Sequence, residues 1–233
     1  MRKSQQLSLI AVFGALHVVL YFVSFGLWRN WAIYIESIEG ILLGPQAGFL
    51  AAFLGSTIAR TIRPDSFWIF GIIAEPVSVL ATGFLARGKW KPTLAIYVVM
   101  LGAYFIHPYG RQLPLWTILD ILVALIVIYP VAKLGNYLFG NNTKRLAVTL
   151  ALVSFVCIAT DSLVRVFLLV PCGLYTLFFD SYAGVEAVFV GAAASSYIED
   201  AIVTAVSFVA GVPILLAASK LGIFPQKNQQ KKK

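Results

Sequence analysis

Residues 31–63 read WAIYIESIEGILLGPQAGFLAAFLGSTIARTIR, and the way this stretch is divided decides the fold. It is apolar enough for a bilayer, but Gly44-Pro45 interrupts it. Proline lacks a backbone N–H and disfavours a helical conformation in the residue before it, so the run is not expected to form one straight helix. The spacing predicts two segments meeting at a tight turn, a short one over 33–43 and a longer one over 46–62. Gly40, Gly44 and Gly48 recur every four residues, and Ala52 and Ser56 continue the row. Small residues at that spacing let helix backbones approach closely in lipid. Glu36 and Glu39 share one face of the short helix. Carboxylates inside an apolar segment are costly, which marks them as candidate functional groups.

Composition sets the wider frame. Of 233 residues, 60% are hydrophobic and only 12% charged, with a mean hydropathy of +0.86. Repeated apolar runs of this kind predict an all-α polytopic membrane protein built as one domain over 1–220, followed by a basic, disordered tail over 221–233. The expected segments are 7–27, 33–43, 46–62, 67–86, 93–108, 115–133, 146–170 and 198–219, about eight in all. Breakers separate them at Arg63-Pro64-Asp65, Gly88 to Pro92, Pro108-Tyr109-Gly110 and Gly140-Asn141-Asn142. Residues 171–197, aromatic and semi-apolar, read as a long, partly embedded connection or a ninth short segment. The first run follows Arg2 and Lys3 but is too long for a signal peptide and lacks a cleavage pattern, so it reads as a retained anchor. Cys157 and Cys172 stand about 22 Å apart along a helix, too far for a disulfide.

Charge tests the segment count. With the N-terminus in the cytoplasm and every segment crossing, the cytoplasmic side receives Arg2, Lys3, Arg87, Lys89, Lys91, Lys133, Lys144, Arg145, Lys220, Lys227 and Lys231 to Lys233, 13 of the 18 basic residues. Arg29, Arg60, Arg63, Arg111 and Arg165 fall outside or in the outer halves of segments, together with all 10 acidic residues. That distribution obeys the positive-inside rule, and it does so only if 31–63 crosses twice. It predicts a plasma-membrane protein with both termini cytoplasmic. The basic excess therefore speaks of orientation, and no basic patch with interleaved aromatics points to nucleic acid.

The ionisable residues inside the segments gather in the outer half: Glu36, Glu39, Arg60, Glu75, Asp120, Asp161, Arg165 and Glu199. Trp28, Trp31, Tyr34, Trp68, His107, Tyr109 and Tyr197 accompany them. Polar groups in lipid must pair or line a wet cavity, so the pattern predicts a pocket open outward and sealed at the cytoplasmic end. Plainer readings stand beside this one. Asp161 and Arg165, four apart on a helix, make an ion pair; Arg60 and Arg63 suit the headgroup region; Trp28, Trp31 and Trp68 suit an interface belt. Two histidines, His17 and His107, without an HExxH or paired-cysteine pattern, give no metal motif, and there is no nucleotide-binding loop. No cofactor is expected, and if the chain works in active transport its energy must come from a partner or an ion gradient.

The first segment, LIAVFGALHVVL, carries Ala11-x-x-x-Ala15. It is followed by EGILLGPQAGFLAAFLGSTIARTI and, near the C-terminus, by YIEDAIVTAVSFVAGVPILLAASKLG. Together these resemble the substrate-binding S-component of energy-coupling factor (ECF) transporters. The resemblance covers about 7–87 and 146–220, while 93–108 and 115–133 are extra to that family's six-span plan. It implies a helical bundle that captures a vitamin or similar micronutrient from outside and docks, through Ala11 and Ala15, on a transmembrane coupling protein and two ATPases. It also implies binding near the outer surface, beneath the loop that carries Trp28 to Tyr34. The residues offered as ligand contacts are Trp31, Glu36, Glu39, Arg60, Trp68, Glu75, Asp161, Arg165, Tyr197 and Glu199. Ten acidic against five basic groups on the outer side favour a cationic or neutral, thiamine-like ligand. Trp31, Trp68 and Tyr197 are expected to stack on its ring. The competing readings are a self-sufficient ion-coupled permease, which would favour an inverted repeat, and a membrane-embedded lipid-modifying enzyme, which would need paired carboxylates or metal ligands on the cytoplasmic side.

Overall fold

The computed structural model of the chain describes residues 3–23, 30–65, 67–140 and 142–222. Trp28, Arg29, Arg2 and the lysines of the C-terminal tail lie outside the described residues.

Every regular element described is helical. The order is α1 (Lys3–Tyr21), α2 (Ile33–Leu43), α3 (Pro45–Ile62), α4 (Trp68–Ala86), α5 (Trp90–Ile106), α6 (Pro108–Gln112), α7 (Leu119–Leu134), α8 (Thr143–Leu169) and α9 (Tyr182–Lys220), with short 3₁₀ turns at Leu115–Ile118, Gly135–Phe139 and Leu174–Leu177. Among the described residues, five stretches are long and apolar enough to cross a membrane: Lys3–Tyr21, Trp68–Ala86, Leu115–Phe139, Thr143–Leu169 and Tyr182–Lys220. The chain thus has the makeup of a helical membrane protein.

The quoted stretch breaks where proline requires it. Gly44 closes α2, its N–H donating to the Gly40 carbonyl, and turns the chain with φ 89°, a conformation glycine adopts without steric cost. Pro45 then takes the first position of α3, where its missing N–H is of no consequence. Helix α2 has 11 residues, about 16 Å, and starts deep within the bundle with nearly every residue buried. The row of small residues is what lets α2 and α3 sit against α4. A Cβ on Gly40 would lie 2.6 Å from the Val79 carbonyl oxygen, and one on Gly83 would lie 2.5 Å from Pro45 N. Helix α1 closes on α3 by the same device, since a Cβ on Gly55 would meet the Gly14 carbonyl at 2.8 Å.

One expectation is corrected. Residues 182–197 are no embedded loop; they form the first turns of a single 39-residue helix, about 58 Å long and nearly twice the hydrocarbon thickness. Glu186, Ser195, Ser196, Glu199 and Asp200 interrupt the hydropathy of this run but not its helical propensity, which Ala192 to Ala194 maintain. The central segments begin at Trp90 and Leu115, close to the expected limits.

Helix ends gather into two faces. At one, the Tyr21 hydroxyl donates to the Arg63 carbonyl at 2.8 Å, Phe67 packs on Phe178 at 4.9 Å, and Tyr109 packs on Tyr182 at 5.2 Å. At the other, the Arg87 guanidinium donates to the Gly83 carbonyl beside the Gly44 turn, and Arg145 donates to the Tyr137 hydroxyl.

Candidate functional site

A cavity of about 390 Å³ occupies the first of these faces. Its walls are helix ends: Arg60 closes α3, Phe70 belongs to the first turn of α4, Asp120 and Ile121 to that of α7, and Ser162, Arg165 and Leu169 to the last turns of α8. Val188, Phe189, Ala192 and Glu199 of α9 supply the remaining side, with Asn30, Asp65, Phe67 and Phe179 from connections. The extension of α9 upstream of residue 198 is therefore what gives the cavity its depth on that flank.

Beneath it lies a buried polar network that joins five helices. Glu75 of α4, 1% exposed, is its hub. Arg60 grips this carboxylate with both terminal nitrogens, Nη1 reaching Oε2 at 3.1 Å and Nη2 contacting Oε1. The Ser56 hydroxyl donates to Glu75 Oε2 at 2.8 Å, His17 Nε2 stands 2.9 Å from the same oxygen, and Arg165 Nη2 stands 3.7 Å from Oε1. A forked guanidinium on a carboxylate is the strongest neutralisation that side chains offer, and only such pairing makes a buried charge tolerable. Room for it comes from Gly71, where a Cβ would overlap the Arg60 guanidinium. Arg165 also donates to Asp161 at 2.6 Å across one helical turn. Glu36 accepts from the Ser78 hydroxyl at 2.5 Å, and Glu39 lies 3.6 Å from His17 Nδ1.

The sequence-selected residues thus fall into three groups. Arg60, Arg165 and Glu199 line the cavity. Glu36, Glu39, Glu75 and Asp161 lie in the network below, each at most 1% exposed. Three aromatic residues stand elsewhere. Trp68 is 48% exposed at the start of α4. Tyr197 is committed to the main chain of the α7 approach, its hydroxyl donating to the Trp116 carbonyl and accepting from Leu119 N–H. Trp31 packs edge-on to Tyr34, against an apolar cluster with Ile158 and Val203. None of these three forms a cavity wall; phenylalanines 67, 70, 179 and 189 take that part. The substitution follows from helical phase. Trp68 and Phe70 are two apart and face opposite ways, and the polar ring edge takes the outer position.

Sequence reasoning passed over His17. It is wholly buried and bridges Glu39 and Glu75. A signal was present: His17 is the one Asp, Glu, His, Lys or Arg within the apolar run 7–27, and the rule that singled out the carboxylates applies to it equally. Ser56 and Ser78 carried no such signal, because isolated serines are common in membrane helices.

On the flank of α1, Ala11 and Ala15 line a second, almost wholly apolar groove with Gly14, Leu54, Gly55 and Ile58. Both alanines are exposed.

Fold and site together define a helical membrane protein with a small-molecule-sized cavity over a buried ionic network. Over 173 residues the chain is 26% identical to an uncharacterized protein of Methanocaldococcus jannaschii; the match takes in 70% of this chain and 58% of that one. This chain therefore spans well under two thirds of its relative's length. No family profile matches the chain, and no solved structure matches it.

Proposed function

We propose that this protein is the substrate-capture subunit of an ECF-type importer, a bundle of about eight membrane segments with both termini in the cytoplasm of a plasma membrane. In this reading the cavity faces outward and takes a vitamin-sized solute. The observation that carries it is the cavity itself. Its volume, about 390 Å³, lies in the range of small-ligand sites, and it sits at the face where the acidic and aromatic residues collect. Wall chemistry supports a cationic or neutral aromatic ligand. Three acidic residues, Asp65, Asp120 and Glu199, stand in the wall beside Arg60 and Arg165, whose guanidiniums are engaged by Glu75 and Asp161. Four phenylalanines offer ring faces.

The groove along Ala11 and Ala15 supports the second half of the reading, docking of a coupling helix, since small side chains admit close backbone approach. Energy would come from ATPase subunits bound through that coupling protein, and this chain would carry out no chemistry of its own. Mass spectrometry of the small molecule retained by the purified protein tests capture. Ala11→Trp with Ala15→Trp tests docking: uptake falls to background while solute binding stays within twofold of the parent. Uptake that persists in the double variant, or in vesicles holding this chain alone, would assign the protein to the self-sufficient permeases instead.

A further inference from the structure

The acidic residues of this chain avoid one end of it. Between Glu75 and Asp120, and again between Asp120 and Asp161, the sequence holds no carboxylate. Those two intervals supply the face opposite the cavity with Arg87, Lys89, Lys91, Lys133, Lys144 and Arg145. All but Arg87 are exposed. Among the described residues, none of them takes part in an ion pair. Exposed charge of one sign, unanswered within the protein, attracts an anionic partner from outside it.

Two of the lysines flank a single seam. The last turn of α7 rests on the turn between α4 and α5: a Cβ on Gly88 would lie 3.6 Å from the Ala132 carbonyl oxygen. Across the seam Trp90, which opens α5, packs edge-on to Tyr129 of α7 at 5.5 Å. Lys91 Nζ lies 5.9 Å from the centre of the Trp90 ring, and Lys133 Nζ lies 5.2 Å from that of Tyr129. The ring faces hold the two ammoniums in place and leave their N–H donors free for an acceptor. Each helix then runs on as an exposed apolar stripe. On α5 it is Ala95 and Val98, one and two turns from Lys91; on α7 it is Ile126 and Val123, two and three turns from Lys133. Basic groups at an aromatic girdle with apolar surface behind them are the complement of a phospholipid, whose phosphate sits at one end of two acyl chains. An acidic protein surface would answer the lysines but not the stripes that continue from them.

We infer that the seam between α5 and α7 binds one anionic phospholipid, its phosphate held between Lys91 and Lys133 and its acyl chains lying along Val98 and Ile126. A headgroup with net negative charge is selected over a zwitterionic one, because the cation of the latter meets Lys89 and its basic neighbours on this face. The site rests on the helices spanning a membrane. It depends neither on solute capture nor on what the solute is, and either can fail without the other.

The test uses full-length protein, delipidated in detergent, and native mass spectrometry with phosphatidylglycerol or phosphatidylcholine of identical acyl chains. One phosphatidylglycerol per chain is expected to be retained roughly tenfold more tightly than phosphatidylcholine, or better. A Lys or Arg beside an anionic headgroup contributes a factor of about five in affinity. Lys91→Gln and Lys133→Gln are therefore each expected to weaken phosphatidylglycerol retention about fivefold, and together about 25-fold. Lys91→Arg with Lys133→Arg, which keeps the charge, should stay within about twofold of the parent, and so should Lys144→Gln, which lies on α8. Excess inorganic phosphate should leave the lipid in place. Equal retention of the two lipids, or a double glutamine variant that binds as the parent does, overturns the site and assigns the basic face to an acidic protein partner. A loss at Lys144 as large as those at the seam overturns it in favour of a diffuse surface potential. Displacement by phosphate overturns it in favour of a site for the free anion.

Discussion

The two faces of this bundle solve opposite problems with different parts. At the face bearing the cavity, helices meet through side chains: carboxylates, guanidiniums, hydroxyls and a histidine interlock across five helices, and aromatic rings pack at the rim. At the other face they meet through backbone. The Gly44 turn presses on Gly83, and a Cβ on Gly135 would lie 2.4 Å from the Leu85 carbonyl oxygen. Side-chain networks leave space between helices and can hold something; backbone contacts leave none. The difference teaches why the described cavity lies at this end of the molecule.

Three measurements would break or sharpen this contrast. The largest effect is all-or-none. Cys172 is exposed beyond α8 at the cavity face, whereas Cys157 is buried inside that helix. A membrane-impermeant maleimide added to intact cells is expected to label Cys172 and to leave Cys157 untouched until the protein is unfolded. Labelling of Cys172 only from the cytosolic side would invert the proposed orientation. Next comes the ionic hub. Arg60→Ala leaves Glu75 buried without its main partner, a loss of about 3–5 kcal/mol of stability. Chemical unfolding in detergent should place its midpoint far below that of Arg63→Ala, whose side chain stands outside the network. The smallest effects compare glycines. Gly83→Leu drives a side chain into the backbone of Gly44 and Pro45 and is expected to cost about 1–3 kcal/mol. Gly102→Ala, with open space around the new carbon, should be neutral or gain up to about 1 kcal/mol from helix propensity. Equal effects at the two positions would refute backbone packing at the closed face.

Much of the candidate site was legible because charge in an apolar segment is expensive. That single rule found Glu36, Glu39, Arg60, Glu75, Asp161, Arg165 and Glu199, all of which gather in or beneath one cavity. It was applied to carboxylates and guanidiniums but not to His17, which stands among apolar residues in the sequence. The aromatic choices Trp31, Trp68 and Tyr197 missed the cavity for a different reason. Placing a ring at the right depth does not say which way round the helix it points, and Phe67 and Phe70 share the depth of Trp68.

By itself the sequence determined that the chain is helical and apolar, that it must turn at Gly44-Pro45, and that its charges divide between two ends, because proline geometry and the cost of charge in lipid act locally. Only the tertiary structure decided which of those charges pair, that α9 runs unbroken from Tyr182, and that His17 and Glu39 face each other. Those are matters of helical phase and of contacts between residues far apart in the chain, such as the 58 positions separating His17 from Glu75; no local rule carries that information.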